Sequence, residues 1–136
     1  MLTSAVLLTL VAASPTLTDY TDRKIQTREA SFLADGMKVA VGEFVNKYNR
    51  LPASNEEAGL PAPTLIHGKY AASGAISGSR ITFEFGPRAD ASLVGKHLFF
   101  EAVLRMKEQR VDSIAWYCKS EDLPQEACPK SCTCSG

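Results

Sequence analysis

Leu33-Ala34-Asp35-Gly36-Met37-Lys38-Val39-Ala40-Val41-Gly42-Glu43-Phe44-Val45-Asn46-Lys47-Tyr48 carries apolar side chains at 33, 37, 41, 44 and 48. Steps of three and four residues mark one face of a 3.6-residue helix. The pattern reaches back through Phe32 and Ile25, so a helix is predicted over residues 19–48. Arg28, Asp35, Lys38 and Glu43 fall mainly on other faces. Gly36 and Gly42 weaken the helix by about 1 kcal/mol each relative to Ala. Asn49 and Pro52 supply its stop.

Upstream of this helix the chemistry changes. No charged residue occurs before Asp19, and the run from Leu2 to Ala13 is apolar apart from three hydroxyls. It is shorter than the ~20 apolar residues of a self-sufficient membrane span. One reading is the apolar part of a secretory signal peptide, with Val11-Ala12-Ala13 near a cleavage point, although a basic start is missing and Pro15 follows. The other is part of an N-terminal membrane helix. An ordinary buried helix fits less well, because the run has no polar face for water. Joined to the amphipathic helix, it makes roughly 47 helical residues, about 70 Å long. That is about twice the width of a compact domain of this size. The N-terminal half should therefore project, kinked at Pro15. A bare apolar projection is stable only in a membrane or against copies of itself.

Downstream, Pro52, Asn55, Gly59, Pro61 and Pro63 make residues 49–68 a loop. Lys69–Ser77 and Arg80–Phe85 read as strands around a Gly78-Ser79 turn. Ile81, Phe83 and Phe85 alternate with Arg80, Thr82 and Glu84, as in a strand with one buried face. Residues 93–106 hold a third strand and 112–118 a fourth. Strands in sequence with short connections imply an antiparallel meander packed on the helix, an α+β fold. At 136 residues and 14.7 kDa this is one head, 19–136, with an N-terminal segment, 1–18. Within the head the expected parts are the helix, the loop, the sheet over 69–118 and a cysteine-rich region over 118–134.

Fifteen basic residues balance fifteen acidic ones. Zero net charge argues against a whole-chain electrostatic hold on nucleic acid or membrane, while leaving room for a local basic stripe. All four cysteines, Cys118, Cys128, Cys132 and Cys134, fall in the last nineteen residues. An even count in a proline-containing tail indicates disulfides in an oxidising compartment. Zinc is the rival, but no clean CxxC pair is present and both histidines, His67 and His97, are distant. Neither histidine sits at a recognised spacing from a nucleophile, and no phosphate-cradling glycine loop exists. Glu56-Glu57 reads as a solvated pair. No enzyme activity, metal or cofactor is expected.

The order of features resembles a type IV pilin, most closely the type IVa subunits of Gram-negative bacteria. Pro15 followed by Asp19-Tyr20-Thr21 and Arg23 is similar to that family's Pro-x-x-x-Asp-Tyr-x-x-Arg segment. Ala34-Asp35-Gly36-Met37-Lys38-Val39-Ala40-Val41-Gly42-Glu43-Phe44 resembles its Ala-Asp-Gly-x-Lys-x-Ala-Val-x-Glu-aromatic stretch. Leu51-Pro52-Ala53, Ala58-Gly59-Leu60 and Gly68-Lys69-Tyr70 resemble the exit from the helix and the approach to the sheet. Ile114-Ala115-Trp116-Tyr117-Cys118 and Pro129-Lys130-Ser131-Cys132 resemble the opening and closing of the family's disulfide region. Aligned on Pro15, the sequence is expected to start several residues inside the family's mature helix. Its basic leader and Phe-Thr-Leu-Ile-Glu start would then be missing.

The resemblance implies the pilin fold: a long N-terminal helix, a four-stranded antiparallel meander and a disulfide-closed C-terminal loop. It implies a filament subunit, a homo-oligomer displayed as a cell-surface pilus. Before assembly the subunit would wait in the inner membrane for the pilus machinery. Adhesion, twitching motility or DNA uptake would be its tasks, with contact to a host surface or DNA. Leu2, Val6, Leu7, Leu10, Val11 and Pro15 are the assembly candidates. Phe32, Leu33, Met37, Val41 and Phe44 would dock the sheet through Ile81, Phe83, Phe85 and Trp116, forming the head core. Cys118–Cys132 fits the family's closing motif, leaving Cys128–Cys134; Cys118–Cys134 with Cys128–Cys132 is the open alternative. The other functional readings are a minor pilin or secretion pseudopilin, and a free secreted disulfide-stapled protein.

Overall fold

The computed structural model describes residues 16–136, with side chains from Asp22 onward. Helix α1 runs over Thr16–Tyr48. Its buried face comprises Gln26, Thr27, Ala30, Ala34, Met37, Val41, Phe44 and Val45, a stripe at helical spacing. Leu33 is half-buried and packs against this core. Phe32 does not belong to it. Its side chain is 69% exposed, because two residues, about 200° of helical turn, separate it from both Ala30 and Ala34. Gly36 and Gly42 face open space, where an added Cβ would meet nothing within 4 Å. Asn49 ends the helix in the left-handed region, at φ 58°, with its N–H bonded to Val45 O at 2.7 Å.

The sheet follows in sequence order: β1 (Ala71–Ser77), β2 (Arg80–Phe85), β3 (His97–Lys107), β4 (Arg110–Ser120) and β5 (Cys132–Cys134). The first four strands are paired antiparallel, as a meander. The fifth was not foreseen and runs parallel to β4, with Cys118 opposite Cys132. Three residues cannot announce a strand by periodicity. β4 is also longer than the 112–118 anticipated, and β3 begins at His97 rather than near Leu93, which instead fills the core from the preceding turn.

Alternation decides which side chains meet α1. Ile81, Phe83 and Phe85 of β2 and Leu98, Phe100 and Ala102 of β3 all point inward. Ile81 stands opposite Phe100 and Phe83 opposite Leu98. The Phe83 and Phe100 rings meet edge-on at 6.0 Å. Gly74 on β1 makes this closeness possible, since a Cβ there would lie 2.7 Å from Phe83 and 3.1 Å from Met37 Sδ. Trp116 is half-buried at the margin, with Lys38 Nζ 5.6 Å from its ring. The Gly78-Ser79 turn joins β1 to β2, with Gly78 at φ 62°.

The loop between α1 and β1 is held by one buried side chain. Asn55 is 4% exposed; its Nδ2 donates to Pro61 O (3.0 Å) and Gly74 O (2.9 Å), and Ile76 N–H donates to its Oδ1 (2.7 Å). The loop thus copies the hydrogen bonds a neighbouring strand would give β1. Asn55→Ala should cost about 1–3 kcal/mol through the unpaired Ile76 N–H and Gly74 O. Phe83→Ala should cost about 3–5 kcal/mol. Phe32→Ser should stay within about 0.5 kcal/mol. Denaturant unfolding of the three variants checks the order.

Candidate functional site

The four cysteines form two disulfides, Cys118–Cys132 and Cys128–Cys134. The first ties the end of β4 to β5. The second closes a smaller ring of sequence separation 6 that overlaps the first, of separation 14, across residues 128–132. Between them the chain makes a short 3-10 turn over Gln125–Ala127 and a turn in which Cys132 N–H bonds Pro129 O at 2.9 Å. Residues 118–134 therefore form a stapled loop with little freedom of its own.

That loop is docked as well as stapled. Leu123 and Ala127 are fully buried in the core of the head. Thr27 of α1, itself fully buried, donates its hydroxyl to Ala127 O at 2.8 Å. Gln125 Nε2 donates to Cys134 O at 2.6 Å, and Ser135 N–H to Ser120 O at 2.9 Å. Ser120 is 2% exposed; its hydroxyl donates to His97 O at 2.7 Å and accepts from Leu123 N–H at 3.0 Å. This serine binds the turn after β4 to the start of β3.

Asp122 supplies the charge in this corner. It accepts from His97 N–H at 2.9 Å, and His97 Nδ1 lies 2.8 Å from its second oxygen. Burial pushes the Asp122 carboxyl up, but the His97 backbone N–H, the His97 ring and the Ser120 hydroxyl outweigh it and hold it below the usual aspartate range. His97 Nε2 lies 3.2 Å from Glu84 Oε1. The nearby Ser120 hydroxyl donates to the backbone carbonyl of His97 rather than to its ring. Glu57, of the Glu56-Glu57 pair, is bound to Arg50 Nη1 at 2.6 Å and to Ala53 N–H, which lower its pKa. Among the described residues, no group of three or more His, Cys, Asp or Glu side chains is placed to hold a metal ion.

The helix positions the rest of the head by a row of polar side chains. Gln26 Oε1 accepts from Asp90 N–H at 2.7 Å, in the connection between β2 and β3. Glu29 accepts three amides, those of Lys69, Tyr70 and Ala71, each at 2.9 Å, at the entry to β1. Asn49 donates to Gln109 O (2.9 Å) and accepts from Val111 N–H (2.7 Å) at the β3–β4 turn. Gln26, Thr27, Glu29 and Ser120 were not singled out from the sequence. The one signal was that Gln26 and Thr27 interrupt the apolar stripe. Of the assembly candidates, Leu2, Val6, Leu7, Leu10, Val11 and Pro15 lie outside the described residues.

One helix laid on a meander, closed by a disulfide from the fourth strand to the tail, can be compared with known proteins. A family model described as pilin, a bacterial filament protein, matches residues 24–133. The chain belongs to the pilin family. Pilins are structural proteins without enzymatic activity. Among its relatives is a "Fimbrial protein" of Neisseria meningitidis serogroup A, 32% identical over 107 residues, covering 78% of this chain and 59% of that protein. Another is "Type IV major pilin protein PilE" of Neisseria gonorrhoeae, 29% identical over 106 residues, covering 78% and 60%. This pilin chain spans about three-fifths of the length of the curated relatives it matches.

Two outcomes follow for the stapled loop. Loop-closure entropy assigns about 3 kcal/mol to Cys118–Cys132 and about 2 kcal/mol to the smaller ring. Cys118→Ser should therefore lower the melting temperature of the head more than Cys134→Ser, measured by circular dichroism without reductant. Asp122 is held low when folded, so its contribution is complete above the unfolded aspartate pKa, near 3.8. It is lost as pH falls through the lower folded value. Protection of the amides of residues 120–128, relative to their intrinsic exchange rates, should fall below about pH 4 in the parent and show no such step in Asp122→Asn.

Proposed function

We propose that this chain is the structural subunit of a type IV pilus filament. The single observation that carries the reading is the family match over nearly the whole head, on a chain whose sequence upstream of the helix is an uncharged apolar run. No described helix is long and apolar enough to cross a membrane. The segment assigned to that task is residues 1–18, which hold the assembly candidates Leu2, Val6, Leu7, Leu10, Val11 and Pro15.

In this reading the apolar segments of many copies pack together in the filament core, and the heads make its surface. Burying each such side chain is worth about 1.5–3 kcal/mol, so a few per subunit hold a filament without covalent bonds. Before assembly the same segment anchors the subunit in the inner membrane, where the pilus machinery collects it. The stapled loop suits a head displayed outside the cell, because disulfides persist in oxidising surroundings. Adhesion, twitching motility or DNA uptake are the tasks assigned to the finished pilus.

Leu10→Asp separates filament packing from folding of the head. Cells expressing it should shed no pili on shearing, by more than a tenfold margin against the parent, given the cost of a buried charge. The head should still melt as the parent does. Normal pilus yield from this variant would overturn the filament reading.

A further inference from the structure

A cleft of about 560 Å³ opens between α1 and the stapled loop, lined by Lys24, Arg28, Ser31, Pro129, Lys130 and Ser131. Three cations and two hydroxyls converge there, and none of the lining residues is acidic. Lys24, Arg28 and Ser31 share one flank of the helix, at steps of four and three. Lys130 faces them from the tip of the loop. Each of its neighbours two residues away, Cys128 and Cys132, is cross-linked. The Cys132 N–H to Pro129 O bond fixes the turn between them. The backbone that carries the cations is therefore set before any ligand arrives, which lowers the ordering cost of binding.

We propose that this cleft holds the phosphate of an anionic phospholipid headgroup while the subunit is membrane-anchored. The inference rests on the membrane-anchored stage of the proposed function. Position along the helix selects this source of phosphate. The uncharged run ends at Thr18, and Lys24 follows six residues later, about 9 Å along the axis. The polar layer of one leaflet is about 5–7 Å deep. Long helical side chains lean toward the N-terminus, so Lys24 and Arg28 lean back toward that layer. The cleft is wide enough for a glycerophosphate headgroup and its phosphate partners. Cations beside an apolar anchor draw anionic lipid in this way.

The test is amine footprinting of the whole chain, reconstituted in vesicles of phosphatidylcholine alone or with one quarter phosphatidylglycerol. A water-soluble acetylating reagent modifies exposed lysines, and mass spectrometry quantifies each. In the anionic vesicles, acetylation of Lys24 and Lys130 should fall about fivefold, while Lys107 at the far end of β3 stays constant. Arg28→Gln, an exposed position, should remove most of that protection with both disulfides intact. Equal reactivity in the two vesicles overturns the proposal. So does protection that includes Lys107, which marks general surface attraction. Inorganic phosphate or a short DNA duplex protecting both lysines as fully in phosphatidylcholine vesicles would assign the cleft to a soluble ligand and also overturn it. A chain that enters neither vesicle overturns the membrane-anchored stage itself, a result distinct from insertion without protection.

Discussion

The head depends on the hydrogen bonds that α1 makes to backbone outside itself. Glu29 takes three amides at the entry to β1, Gln26 one in the β2–β3 connection, and Thr27 gives one to the stapled loop. Asn49 grips the β3–β4 turn from the other end. Those four side chains reach the end of the α1–β1 loop, the β2–β3 connection, the stapled loop and the β3–β4 turn, and Asn55 secures the middle of the α1–β1 loop against β1. The apolar face of α1 supplies the driving force, but burial is non-directional and would accept several placements of a sheet. Directional bonds to buried amides select among them, because leaving one unmade costs about 1–3 kcal/mol.

This arrangement fits the proposed filament subunit. The core of the head, among the described residues, lies between α1 and the inner faces of β1, β2 and β3. The stapled loop is held in two ways. Its two disulfides constrain it internally, while Thr27, Leu123 and Ala127 attach it to the helix. Lys130 projects from it toward Lys24 and Arg28 with no acidic residue lining the space between.

What could be read beforehand was whatever has a period or a composition. The 3.6-residue stripe through Met37, Val41 and Phe44 located the helix, and the alternation of Ile81, Phe83 and Phe85 located β2 and its inward face. Phe32 shows where a stripe misleads. It is apolar and adjacent to Leu33, yet the helical turn carries it to the outside at 69% exposure. Gln26, Thr27, Glu29 and Ser120 were illegible for a different reason. A polar residue has no periodic signature, and its partners lie 100, 64 and about 41 residues away for the three on the helix.

The sequence by itself determined the helix, the order of the strands, the uncharged N-terminal run and the resemblance to pilins, because each is written in local pattern or in ordered motifs. It left the cysteine pairing with two solutions. Only the tertiary structure decided between them, by laying Cys132 opposite Cys118 across a parallel pair of strands. It also decided β5 itself, the cationic cleft and the four grips of α1. Each of these depends on the distance between segments far apart in the chain, and that distance is set by how a helix and a sheet close over a shared apolar core.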